Sequence, residues 1–280
     1  MTVVGFIGLG QIGTPMARRL LGHPGGLIVF DVRADATAPF AEKGAQVAAD
    51  AAEVGSSAEV ISVMVRDDVQ VIDVVHSVIA PARRGTVIAI HSTIAPATAE
   101  RLAAEGSRYG VDVIDAPVAG GFMGATNGTL AVMAGGPVEA VERCREVFGA
   151  WATLVLHVGP VGAGTRAKLA RNLLQFAAYS AAAEAQRLAE AAGIDLTGLG
   201  NVVRHSDAVT GGPGAIMVRQ TTVPLDPEDP LHGIFSHTRD LGEKDLRLAL
   251  ALGRELGVDL PFAELALERF ARGLGLEPGS

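Results

Sequence analysis

Lys168, Asn172, Gln175 and Tyr179 recur at spacings of four, three and four residues in GAGTRAKLARNLLQFAAYS, residues 162–180, which sets them on one face of a helix. A lysine on a helix beside a cleft can pass a proton. Partial burial draws its pKa toward working pH, where general acid–base catalysis is most effective. The competing reading is a polar stripe turned to water. Beyond Leu173 the run is apolar almost all round, which argues for a central helix instead.

A second constellation opens the chain in VGFIGLGQIGTPMARRL, residues 4–20, where an apolar run gives way to a helical pattern. Gly8 permits a tight turn, Gly10 lets the backbone approach a pyrophosphate, and Gly13 lets helix and strand pack closely. Leu9, Gln11 and Ile12 complete the turn, and amides at the helix start face the phosphate. Taken alone this spacing is weak. Its context is stronger, because Asp31 ends the next strand 23 residues after Gly8, close to the expected offset of about 20. Asp31 can accept hydrogen bonds from an adenosine ribose and would repel a 2′-phosphate, so NAD is expected over NADP. Arg33, just past Val32, pulls the other way, since an arginine there can accommodate that phosphate.

A third stretch, VDVIDAPVAGGFMGATNGTLAVMAGG at residues 111–136, ends a strand at Asp115 and stiffens the turn with Pro117. Gly120 and Gly121 then leave backbone amides uncovered, and successive uncovered amides form a nest for an anion such as a carboxylate.

The elements that must position these residues follow from periodicity. Val3–Ile7, Leu27–Phe30, Val60–Val65, Thr86–Ile90, Val111–Ile114, Leu130–Ala134 and Leu154–Val158 read as strands, and the continuously apolar ones suit a parallel sheet covered on both faces. Helices are expected over Ile12–Leu21, Ala51–Ser56, Val69–Ile79, Ala97–Tyr109 and Val138–Phe148, with Asp50 and Glu53 as a capping box and Asp67 or Asp68 as an N-cap. This alternation argues for a doubly wound α/β fold. After Gly159 the pattern changes. Thr165–Ala192 holds neither proline nor glycine and reads as one helix of roughly 42 Å. Leu196–Arg204, His237–Leu256 and Phe262–Arg272 follow as helices, with a Gly- and Pro-rich loop over Thr210–Pro230. The expected division is therefore a dinucleotide-binding domain at 1–161 and an all-helical domain at 162–280, joined by the long helix.

With 280 residues, 49 % of them hydrophobic but only 4 % aromatic, the core must be built mainly of Ala, Val, Leu and Ile. A net charge of −8 offers no broad footprint for nucleic acid. The lone cysteine, Cys144, can form no internal disulfide and is expected to be buried and inert. No metal site, signal peptide or membrane span is expected, and the chain reads as soluble and cytoplasmic.

The ordered set GLGQIGTPMARRL, HSTIAP, DAPVAGG with GATNGTL, GAGTRAKLARN and EKDLRLALALG resembles the β-hydroxyacid dehydrogenase family over residues 4–253. The resemblance implies a Rossmann domain followed by a helical one, commonly assembled as a homodimer or homotetramer through the helical domain. It implies Lys168 as the catalytic lysine, Asn172 as a residue that holds substrate, and Gly120 and Gly121 as the amides that bind a substrate carboxylate. It also implies Thr93 near the nicotinamide, Met64 and Val65 lining the cofactor, and Lys244 contacting cofactor or substrate. Three positions depart from the family pattern. Ala119 stands where a serine is usual, Arg171 where an asparagine is usual, and His237 where an aromatic often precedes the KDL lysine. The expected reaction is hydride transfer between NAD and a small β-hydroxy acid. An imine-reductase-like enzyme of the same superfamily and a non-catalytic dinucleotide-binding module are the alternatives.

Overall fold

The computed structural model describes residues 2–277. Its chain begins with β1 (Val4–Ile7), α1 (Gly13–Arg18), β2 (Leu27–Phe30), α2 (Ala34–Ala41), β3 (Gln46–Val47), α3 (Ala51–Ser57) and β4 (Val60–Val63). It continues through α4 (Asp68–Ile79), β5 (Val87–Ile90), α5 (Pro96–Tyr109), β6 (Asp112–Asp115), β7 (Val118–Ala119) and α6 (Gly121–Asn127). Then come β8 (Leu130–Gly135), α7 (Val138–Gly149) and β9 (Ala152–Gly159), followed by α8 (Ala163–Ala191), α9 (Leu196–Thr210), α10 (Pro230–Leu256) and α11 (Pro261–Gly273).

The six parallel strands lie in the order β3-β2-β1-β4-β5-β6, the doubly wound Rossmann arrangement. Beyond β6 the sheet turns mixed: β8 runs antiparallel to β6 and β7, and β9 pairs parallel with β8. The continuously apolar strands are needed because both faces of the sheet are covered. Val4, Phe6, Val87 and Ala89 face one core with Met16, Leu20, Phe148 and Trp151. Their alternate neighbours Ile7, Ile88 and Ile90 face a second core with Val71, Val75 and Leu102. Cys144 is buried in the first core, and burial pushes its thiol up to about 12, so it is inert.

Local capping agrees with the side chains that specify it. Asp50 accepts from the Glu53 amide at 2.8 Å, Glu53 accepts from the Ala49 amide at 2.7 Å, and Asp67 accepts from the Gln70 amide at 3.0 Å. Helix α2 was not expected, since Pro39 lies within it, and neither was α6, whose sequence GFMGATN carries two glycines.

The chain forms two compact units, one reaching Arg171 and the other starting at Asn172. The expected boundary at 161/162 falls ten residues earlier. The early residues of α8 account for the difference, because Thr165 is fully buried in the α/β unit. In the second unit, α8 does not run through a core as its apolar sequence suggested. Past Asn172 its one buried side chain is Glu184, and Leu173 is 73 % exposed. Glu184 accepts from the amides of Phe262 and Ala263 at 2.8 and 3.1 Å and so caps α11 from another helix. Helices α9 and α10 extend to Thr210 and back to Pro230, beyond the expected limits of Arg204 and His237. A small core of Phe235, Leu274 and Leu276 closes this unit.

Candidate active site

The glycine turn joins β1 to α1 at the carboxyl ends of the parallel strands. Gly8 holds φ +97°, a left-handed conformation that L side chains rarely adopt, and a Cβ there would collide with the Met64 carbonyl. A Cβ at Gly13 would collide with the Gly8 carbonyl, so close packing of helix on turn requires glycine here. At Gly10, by contrast, nothing lies within 4 Å of where a Cβ would stand. The backbone is open at the one glycine assigned to face a phosphate, and Gln11 beside it is also exposed. Leu9 and Ile12 pack into the first core on either side. The turn therefore fits a dinucleotide.

Gly10, Asp31, Val32, Arg33, Met64 and Val65 line one cleft of roughly 670 Å³ over these strand ends. Asp31 Oδ2 accepts from the Leu9 amide at 2.6 Å, and Oδ1 accepts from the Arg33 amide at 2.9 Å. The Arg33 guanidinium lies across the turn, donating to the Leu9 carbonyl at 3.1 Å and pairing with Asp31 at 3.3 Å. The acid and the base that argue for opposite cofactors thus share one cleft.

The second half of the site comes from the β6–α6 connection. Gly120 and Gly121 hold φ +127° and +61° and are exposed, and α6 starts at Gly121 where an open loop was expected. Ala119 pairs with Ala131 in the β7–β8 ladder. Asp115, fully buried at the end of β6, reaches the start of α8. Its Oδ1 accepts from the Gly162 amide at 2.7 Å and its Oδ2 from the Thr165 amide at 2.6 Å. Burial raises its pKa, and the Thr165 and Gly162 amides oppose that rise. One turn further along, Lys168 is half-buried and its Nζ donates to the Val118 carbonyl at 2.6 Å, two residues before Gly120. Burial draws the Lys168 ammonium below the usual lysine value, and the nearby charge of Arg171 adds in the same direction.

Other expected residues are less gathered. Thr93 is exposed in the loop after β5. Asn172 follows Lys168 by one helical turn, partly buried, and opens the second unit. In that unit His237 and Lys244 both lie on α10 and are exposed, with Lys244 paired to Asp245 at 3.1 Å.

His91 had no expected role, yet the structure puts it at the end of β5 in full burial. Its Nδ1 is 2.7 Å from the Ala116 carbonyl and its Nε2 is 3.1 Å from Ser62 Oγ. Burial lowers its pKa from 6.5 to about 4, against the pull of the Ala116 carbonyl. The unfolded chain therefore takes up a proton that the folded chain refuses. Stability from this group is fully present above pH 6.5 and is lost as pH falls toward 4, an interval worth about 3 kcal/mol. Denaturant unfolding between pH 7 and 4 should show a shallower acid loss in His91→Asn than in the wild type, whereas equal slopes would refute the assignment.

Fold and site together define an NAD(P)-dependent oxidoreductase. A family model for the NAD-binding domain of 6-phosphogluconate dehydrogenase matches residues 3–159, and one for the NAD-binding domain of NADP-dependent 3-hydroxyisobutyrate dehydrogenase matches residues 162–277. An uncharacterised oxidoreductase of Mycobacterium tuberculosis is 56 % identical over 276 residues, covering 98 % of this chain and 93 % of that protein. A crystal structure from Mycobacterium avium, provisionally described as an oxidoreductase, is 52 % identical with a TM-score of 0.95 over 100 % of both chains. The Mycobacterium tuberculosis 3-hydroxyisobutyrate dehydrogenase, solved with L-serine, is 32 % identical with a TM-score of 0.68, covering 97 % of this chain and 93 % of that one. The chain belongs to the β-hydroxyacid dehydrogenase family.

Proposed function

We propose that this oxidoreductase interconverts a small 3-hydroxy acid with its semialdehyde or keto acid, with Lys168 as general acid–base and NAD as the preferred cofactor. The observation that carries this reading is the Lys168 ammonium at 2.6 Å from the carbonyl of Val118, a residue two positions before the Gly120–Gly121 pair, in the unit that holds the glycine turn. In oxidation, neutral Lys168 Nζ takes the hydroxyl proton as the carbinol carbon gives up its hydride. In reduction, the same ammonium returns the proton to the carbonyl oxygen. The Gly120 and Gly121 amides hold the substrate carboxylate, and Asn172 orients the reacting oxygen. The nicotinamide, when bound, supplies or accepts the hydride. L-serine, seen in the 3-hydroxyisobutyrate dehydrogenase relative, is itself a 3-hydroxy carboxylate and so supports the substrate class. Ala119 lacks the serine hydroxyl and Arg171 adds a cation near this site, so the substrate's own substituents are expected to differ from those of relatives with serine and asparagine there. A panel of 3-hydroxy acids and aldehyde acids, followed by NADH absorbance, tests the proposal. Silence across the panel in both directions would overturn it.

Asp31 supports the cofactor preference, because its carboxylate accepts from a ribose diol and repels a 2′-phosphate. Asp31→Asn removes that charge and should narrow the NAD-over-NADP preference by about tenfold, the worth of a charge-assisted hydrogen bond. Equal ratios of kcat/KM for the two cofactors in wild type and variant would remove Asp31 from this role.

Association of copies through the second unit is supported by its surface. Leu173, Phe176, Val202 and Val209 are exposed there, and α9 buries none of its residues. Light scattering on the eluting protein should give a mass of two or four chains, and a monomer at micromolar concentration would contradict it.

A further inference from the structure

Three loops carry the candidate site: Met64–Arg66 after β4, Ser92–Ala95 after β5, and Ala116–Pro117, which leads from β6 into β7. A single dipeptide, His91–Ser92, touches the outer two. Ser92 Oγ accepts from the Val65 amide at 2.9 Å and donates to the Val65 carbonyl at 2.7 Å, which fastens the β4 loop. His91 fastens the β6 loop through Nδ1 and reaches back to Ser62 on β4 through Nε2. A carbonyl only accepts, so the proton must sit on Nδ1, and Nε2 then accepts from the Ser62 hydroxyl. This is one tautomer of the neutral ring, with both nitrogens satisfied. Phe148 and Trp151 present near-perpendicular rings at 5.2 and 5.7 Å, which hold the imidazole plane. The ring is fully buried, so no substrate can touch it.

We propose that His91 is a positioning residue: by donating from Nδ1 to the Ala116 carbonyl it sets the loop that leads into β7, where Val118 meets Lys168, and on to Gly120–Gly121, which meet the substrate carboxylate. The inference rests on the substrate reading given above. Without the donor, a buried carbonyl is left unpaired and the loop must move to satisfy it. Ala116 precedes Val118 by two residues, so such a shift displaces the acceptor of the Lys168 ammonium and the glycine amides together. The cofactor turn at Gly8–Gly13 has no hydrogen bond to His91 and stays in place.

Two amide side chains separate this role from simple core filling. In His91→Asn the amide nitrogen stands near the place of Nδ1, and in His91→Gln near the place of Nε2. His91→Asn should keep the KM for the 3-hydroxy acid near wild type, and His91→Gln should raise it by about tenfold, the scale of one lost buried hydrogen bond. The affinity for NAD, read by fluorescence titration, should stay unchanged in both. His91→Leu should behave as Gln does, and if it fails to fold the Asn–Gln comparison still decides. Long-range nitrogen–proton NMR of the wild type should show one imidazole as the Nδ1–H tautomer. Equal KM values in Asn and Gln, or an Nε2–H tautomer, would overturn the proposal. A wild type that turns over no 3-hydroxy acid would overturn the substrate reading itself and this role with it.

Discussion

Lys168→Ala should lower kcat by about 10²–10⁴-fold while leaving the affinity for NAD nearly intact. The amine sits on α8, half-buried, and donates to the Val118 carbonyl at 2.6 Å. Burial first, and the Arg171 charge second, lower its pKa. A lowered pKa enlarges the neutral fraction that can accept a proton near neutrality. The rate of alcohol oxidation should therefore rise with pH through the lysine's pKa and then level, and the alanine variant should lose that limb. Lys168→Arg gives a sharper control. It keeps the charge but cannot release a proton near neutral pH, so it should be as inactive as alanine. Steady-state kinetics and a cofactor titration check both variants. A Lys168→Ala enzyme with more than about a tenth of wild-type turnover would remove the lysine from proton transfer.

Asp115→Ala should cost about 2–6 kcal/mol of stability and most of the activity that survives folding, because two buried amides lose their acceptor at about 1–3 kcal/mol each. Those amides belong to Gly162 and Thr165, at the very start of α8, and they lie 47 and 50 residues away from Asp115 in sequence. The helix start is thus capped by a strand end, and Lys168 is carried on the turn that follows. Against a typical total of about 5–15 kcal/mol, such a loss is large. The pH dependence has a distinct sign. Because burial outweighs the amides, the folded-state pKa of Asp115 lies above 3.8, so its titration adds stability below that value and loses it as pH rises. This is the reverse of His91, whose contribution is lost on acidification. Urea unfolding at neutral pH measures the cost, and a variant within about 0.5 kcal/mol of wild type would show that the cap is dispensable.

The α/β half of the fold was legible because its information is local. Unbroken apolar runs mark strands covered on both faces, and Gly8, Gly10 and Gly13 with Asp31 mark the turn by short spacing. The structure gives each of those glycines a separate reason, one conformational, one of close packing and one of open access. The long helix was also plain, since nothing in it breaks a helix. Its surroundings were not: an apolar sequence reads the same whether its own chain or another copy covers it, and Leu173 and Phe176 are exposed within this chain. Helix α6 leaves no local signature, because its glycines argue against a helix and the fold imposes one there between β7 and β8.

Residue type and order alone determined the glycine turn after β1, the acid at Asp31, the lysine on its helix and the glycine pair that could hold a carboxylate. Only the folded chain decided that Asp115 caps α8, that Lys168 faces Val118, that Arg33 reaches the Leu9 carbonyl and that His91 fastens the β6 loop. The physical reason is range. Periodicity and turn chemistry act over a few residues and leave their mark in the sequence, whereas these contacts join segments 24 to 50 positions apart. Their partners are selected by sheet order and burial, and a carbonyl that accepts a hydrogen bond has no signature in the identity of its residue.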